Sequence, residues 1–274
     1  MFFALLELPR PLNCAITFFS VLLGGWLGVL ALPPSLWSAA WSAALITGGG
    51  NALNDLCGIV EDRINKPHRP LPSGRLPISL ARLLAIALFT SGLALAFPLP
   101  APAPLVGLVA VGGLVLYNLF LKRVVLLGNL TVSALGGLVF LYGGFAVQMS
   151  KPALWPALFA LVFHLGREIL KDLQDCAGDR LLRGQTMPLR WGIFPTQVFI
   201  TALFAFLMGL VFYPVFAGIY GHIYLFTVCL LDGLLFYVLI QLWRNTSPQA
   251  LQTLSHVLKA GMVLGLAAIF LDHL

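Results

Sequence analysis

Residues 192–216 read GIFPTQVFITALFAFLMGLVFYPVF, a run of 25 positions without one charged side chain. As a helix this segment is about 37 Å long at 1.5 Å per residue, enough to cross a hydrocarbon core of about 30 Å. It shows no alternation of apolar and polar positions, so a barrel strand does not fit. Working outward, eight further apolar runs of similar length occupy roughly 11–31, 36–54, 79–98, 103–121, 126–147, 152–171, 220–243 and 253–272. Pro33-Pro34, the Pro98 to Pro104 stretch and Asn245-Thr246-Ser247-Pro248 punctuate them as turns. The last run has the least distinct start, because Gln252, His256 and Lys259 intrude.

Composition agrees with this reading. The chain of 274 residues is 59% hydrophobic and 9% charged, with a mean hydropathy of +0.95. Soluble domains carry about a quarter charged residues, so water would not solvate this surface. In lipid only helices and closed barrels satisfy their own backbone. The sequence therefore predicts an all-α, polytopic bundle of about nine transmembrane helices. Met1 to Arg10 lacks the ordered features of a cleavable signal. Cys14, Cys57, Cys176 and Cys229 are scattered and read as free thiols. The five histidines show no ligand spacing and read as structural or interfacial.

Basic residues set the orientation. With the N-terminus inside, the cytoplasmic side collects Arg10; then Arg63, Lys66, Arg69, Arg75 and Arg82; then Lys122 and Arg123; then Lys171, Arg180, Arg183 and Arg190; then Arg244 and Lys259. The outside connections carry only Lys151. The expected location is the plasma membrane, with the polar site near its cytoplasmic face and no nucleic-acid partner.

Seven of the ten acidic residues fall in two segments, 51–78 and 166–191. Glu168, Asp172, Asp175 and Asp179 follow i, i+4, i+7, i+11, which places four carboxylates on one helical face. Asp55 and Asp62 are seven apart, with Asn51 one turn earlier. The segments lie four spans apart and end alike, in Asp62-Arg63 and Asp179-Arg180, which suggests a weak parallel repeat of two four-helix halves within one domain, plus a final helix. Stacked like charges repel, and a divalent cation would offset that repulsion. Carboxylates suit magnesium, which binds one or two of them together with water and phosphate oxygens. Two such segments facing each other form a clamp for a magnesium-bound diphosphate, and Arg69, Lys122, Lys171 and Arg180 are placed to contact the phosphates. Solvated loop acids at a helix end are the ordinary alternative for any single member; the joint pattern carries the reading. Asp232 falls in mid-span, where a buried acid serves either structure or substrate.

The segment Asn54-Asp55-Leu56-Cys57-Gly58-Ile59-Val60-Glu61-Asp62, continued by Asn65-Lys66-Pro67-His68-Arg69-Pro70-Leu71-Pro72-Ser73-Gly74, resembles the first aspartate-rich motif of the UbiA prenyltransferases. The stretch Arg167 to Arg180, with Asp172, Asp175 and Asp179, resembles their second, in wording closest to the branch of digeranylgeranylglyceryl phosphate synthases. Tyr117-Asn118, Lys122-Arg123 and Gly128-Asn129-Leu130 also fit, and the resemblance covers essentially the whole chain.

The resemblance implies a helical bundle around a central cavity that opens sideways to lipid. It implies that Asp55, Asp62, Asp172, Asp175 and Asp179 form the catalytic set, with Asp55, Asp62, Asp175 and Asp179 holding Mg2+. Asn54, Arg69, Tyr117, Lys122, Asn129, Lys171 and Arg180 would bind substrate. The reaction implied is transfer of a polyprenyl group from an allylic diphosphate to a lipophilic acceptor, such as geranylgeranylglyceryl phosphate, an aromatic quinone precursor or a tetrapyrrole carboxylate. One position departs from the family pattern: Gly58 stands where the first motif carries its middle aspartate. A transporter would set its polar groups at the bilayer midplane on broken helices, whereas these acids gather at one face. A non-catalytic isoprenoid-binding member is the remaining alternative, kept open by Gly58.

Overall fold

The computed structural model describes residues 1–181 and 185–274, and these residues contain helices and turns but no strand. Arg183, counted above on the cytoplasmic side, lies outside the described residues. A short α1 (Phe2–Glu7) precedes α2 (Pro11–Val29), α3 (Pro34–Cys57) and a short α4 (Ile59–Asn65). Next come α5 (Ile78–Ala96), α6 (Ala103–Leu119), α7 (Leu127–Ala146) and α8 (Leu154–Leu181). The chain closes with α9 (Met187–Trp191), α10 (Ile193–Leu210), α11 (Tyr213–Phe216), α12 (His222–Arg244) and α13 (Pro248–Leu271).

Nine of these helices have 17 residues or more, in the order expected from the apolar runs. Among the described residues, seven candidate spans are long and apolar enough to cross a membrane. Two of the expected nine differ. The apolar helix Ala103–Leu119 is short, and α3 is diluted by Ser42, Thr47, Asn51, Asn54 and Asp55, polar residues that the fold turns inward. The all-α membrane class stands, while nine is an approximate count of spans.

Small residues let the helices approach closely, the means by which apolar helices associate in lipid. On α2 a Cβ added at Gly24 would stand 2.1 Å from the Phe140 carbonyl oxygen of α7, and one at Gly143 would stand 2.0 Å from the Val21 carbonyl oxygen. Only glycine permits that backbone contact. Across the bundle, Ser42 donates to the Gly92 carbonyl at 2.7 Å and meets the Tyr142 hydroxyl at 3.0 Å, tying α3, α5 and α7 together.

The largest apolar core, which includes Phe163, Ile169, Phe204, Tyr224, Leu235 and Leu258, surrounds α8 with α7, α10, α12 and α13. A second core with Val21, Leu36, Ala39, Ala43 and Tyr142 joins α2, α3 and α7. α8 is 28 residues long, about 42 Å, so its C-terminal turns project past the apolar layer and carry the acidic stripe with them.

Candidate active site

Gly58 interrupts the first acidic segment. It sits between α3 and α4 with φ −109° and ψ 16°, a conformation open to any residue, while backbone bonds Gly58 N–Asn54 O and Asp62 N–Gly58 O, both 2.9 Å, carry the helical path through the break. Asp55 and Asp62 therefore lie on two helices rather than one, yet still face the same way. The turn after α4 brings Arg69 back so that its Nη1 donates to Asp62 Oδ2 at 2.7 Å and to Asp55 Oδ1 at 3.1 Å. Arg10 closes a second ion pair on Asp55.

α4 packs against α8, which brings the two acidic segments together. Asn65 Nδ2 donates to the Asp175 carbonyl at 2.9 Å, and Lys66 forms an ion pair with the Asp175 carboxylate. Asn129, at the start of α7, donates to Asp172 Oδ2 at 2.9 Å. Glu168 is held by Lys171 at 2.6 Å and by Arg167 at 3.0 Å. Between the segments lies a cleft of about 90 Å³, lined among others by Glu61, Asp62, Asp172, Asp175, Asp179 and Asn129. Glu168 also lines it, so the whole i, i+4, i+7, i+11 stripe faces one space.

Lys122 takes the place that an aspartate at position 58 would claim. A Cβ added at Gly58 would stand 3.2 Å from Lys122 Nζ and 3.9 Å from Glu61 Oε2. Lys122 Nζ lies 3.8 Å from Glu61 Oε1, and Glu61 Oε2 is buried without a hydrogen-bond partner, as is Asp175 Oδ1. Burial raises the Asp179 carboxyl to about 6, with Asp175 adding to the rise. Among the described residues no three His, Cys, Asp or Glu side chains form a ready metal cage. Carboxylate oxygens without partners in a polar cleft suit a cation that keeps water and takes its remaining ligands from phosphate, as magnesium does. The residues present fit that ion.

The cleft opens into a larger cavity of about 390 Å³. Arg10, Asn54, Arg69, Tyr117, Glu168 and Lys171 border both spaces. Deeper in, an apolar chamber of about 80 Å³, walled by Phe140, Phe159, Phe163 and Leu231, meets the large cavity at Ile16, Ser20, His164 and Met262.

The structure thus brings most of the expected residues to one place, with two exceptions. Asp55 is buried behind Arg10 and Arg69 and does not line the cleft. Arg180 is exposed and lines neither space. Asp232 is buried in α12 with Oδ1 unpartnered, and it borders neither space. Sequence reasoning passed over Arg167, His164, Gln252 and His256 and counted Lys259 with the cytoplasmic basic residues, yet all five line the large cavity, Lys259 from the middle of α13. Their signal was present: the polar residues that blurred the start of the last span are the cavity face of α13. The four cysteines are free thiols, as expected.

Comparison with known proteins supplies the frame. Residues 15–266 match the UbiA prenyltransferase family. The digeranylgeranylglyceryl phosphate synthase of Methanopyrus kandleri is 34% identical over 265 residues, covering 97% of each chain. Among solved structures, one of digeranylgeranylglyceryl phosphate synthase has a TM-score of 0.75 at 28% identity, covering 98% of this chain and 97% of the other. A UbiA homologue from Archaeoglobus fulgidus bound to DMAPP and Mg2+ has a TM-score of 0.65 at 18% identity, covering 97% of this chain and 99% of the other.

Proposed function

The chain belongs to the UbiA prenyltransferase family and is a membrane prenyltransferase; we propose that it transfers a geranylgeranyl group from its diphosphate to geranylgeranylglyceryl phosphate in a magnesium-dependent reaction. The observation that carries this reading is the union of an acidic cleft with a larger, cation-bordered cavity and an apolar chamber. One space suits a diphosphate, the next the polar head of the acceptor, and the last part of an isoprenoid tail. The choice of acceptor follows the synthases that this chain resembles over nearly its full length.

Asp62, Asp175 and Asp179 would hold the metal, with Glu61 offering its free Oε2 in place of the carboxylate missing at position 58. Bound there, magnesium would supply charge neutralisation for the leaving diphosphate. Lys122 and Arg69 border the cleft and would bind the phosphate oxygens, and Lys171 stands at the junction with the larger cavity. Asp55 would act one step removed, by holding Arg10 and Arg69 in place. Asn129 orients Asp172. As the donor C1–O bond breaks, the acceptor hydroxyl oxygen attacks C1, and its proton leaves with the diphosphate. The apolar walls keep water from the electron-poor allylic carbon. The site lies on the side that carries the excess of basic residues, which we assign to the cytoplasm.

Release of diphosphate from radiolabelled geranylgeranyl diphosphate tests the assignment. The wild type should release it only with both magnesium and acceptor, and Asp175→Asn should lower the rate by about a hundredfold or more. Release unchanged in Asp175→Asn would remove the cleft from the mechanism.

A further inference from the structure

The large cavity holds a group of cations, of which Arg167, Lys259 and His256 do not line the acidic cleft and Lys171 stands where the two spaces join. Arg167 lies at the middle of α8, and Lys259 at the middle of α13, the helix packed against it. Both line the cavity with Lys171 and His256. Arg167 is buried, and its Nε has no hydrogen-bond partner. Arg167 and Lys171 share a single carboxylate, Glu168. Lys259 makes no ion pair or hydrogen bond among the described residues, and the positive charges of Arg167, Arg10 and Lys171 act on it. Three cations facing one carboxylate leave two positive charges uncompensated in a buried cavity, where charge is costly. Arg10 does not add to this excess, because Asp55 pairs with it. A bound anion would offset that cost.

We propose that Arg167, Lys171 and Lys259, with His256 beside them, form a second anion site that binds the phosphate monoester of the acceptor. A phosphate monoester carries a charge of about −1.5 to −2 at neutral pH, which matches the excess. A carboxylate on an aromatic or tetrapyrrole acceptor supplies half of that. The site adjoins the diphosphate cleft at Lys171, while Arg167 lies eight residues before Asp175, about 12 Å along α8, and neither Arg167 nor Lys259 lines the cleft. The acceptor would thus be held by its phosphate while its hydroxyl reaches toward the donor carbon at the junction near Tyr117. The inference rests on the transfer reaction proposed above and names how that reaction selects its acceptor. It makes Lys259 a specificity-determining residue that touches the acceptor, not the reacting atoms.

The test is calorimetric titration of the purified full chain in detergent. The probes are geranylgeranylglyceryl phosphate, its dephosphorylated alcohol, inorganic phosphate, and geranylgeranyl diphosphate with magnesium. The wild type should bind the phosphorylated lipid at least about tenfold more tightly than the alcohol. Lys259→Met should remove most of that preference while leaving donor affinity within about twofold, and Lys259→Arg should restore it. Equal weakening toward both lipids would mean a purely structural lysine and overturn the proposal. So would an equal loss of donor affinity, which would mean a single anion site, or inorganic phosphate binding as tightly as the lipid. Phosphate-selective binding without any product would uphold this site and sink the reaction assigned above, so the two failures are distinct.

Discussion

Asn65 Nδ2 donates at 2.9 Å to the backbone carbonyl of Asp175, pinning the end of α4 to the middle of the α8 stripe across 110 residues of sequence. With Lys66 paired to the same aspartate, this contact holds the two acidic segments at the spacing of the cleft. Asn65→Ala loses a hydrogen bond worth about 1 kcal/mol, so the magnesium concentration for half-maximal turnover should rise about fivefold. Titrating turnover with magnesium checks this, and an unchanged midpoint would show that packing alone sets the spacing.

Gly58→Asp probes the departure from the family pattern. The φ and ψ there need no glycine, and an added Cβ would meet the Asn54 carbonyl oxygen at 3.0 Å and the flexible end of Lys122 at 3.2 Å, contacts that small shifts relieve. The variant should fold, pair its new carboxylate with Lys122, and lower the half-saturating magnesium concentration. The double variant Gly58→Asp with Lys122→Met should bind magnesium tighter still but lose turnover, since Lys122 borders the diphosphate cleft. A Gly58→Asp protein with wild-type magnesium dependence would mean that Glu61 already fills the role.

Arg180 and Lys171 separate exposure from participation. Arg180→Ala, at an exposed position outside both spaces, should leave kcat/KM within about twofold, as surface changes commonly do. Lys171→Met should reduce it by about a hundredfold, because it strips the junction of a cation and leaves Glu168 with one partner instead of two. Steady-state kinetics on both variants decides the ranking.

Asp179 gives the pH dependence its sign. Its carboxyl is raised from 3.8 to about 6, so below that pH a proton competes with the metal. Half-saturating magnesium should climb as pH falls through 6 and level off above 7. In metal-free protein the native state binds the extra proton, so this group's contribution to stability should fall as pH rises from about 4 to about 6. Asp179→Asn should flatten both curves, as thermal unfolding with and without magnesium would report.

Much of this was legible in the sequence, because lipid imposes a simple rule: long uncharged runs become helices. The stripe from Glu168 to Asp179 was readable from spacing alone, since one helix carries it. The withdrawal of Asp55 behind Arg10 and Arg69 was not, because it depends on residues 45 positions upstream and 14 downstream. Arg167, His164 and Lys259 escaped for a related reason. A polar residue within an apolar span looks like a flaw in the span until the facing helix shows the cavity it lines.

The most direct test is mass analysis of the product made by the purified chain from geranylgeranyl diphosphate and a panel of acceptors, with and without magnesium. The account predicts a digeranylgeranylglyceryl phosphate product, formed only with magnesium and only from geranylgeranylglyceryl phosphate. A prenylated aromatic or tetrapyrrole product instead, or equal product after magnesium is chelated, would contradict it.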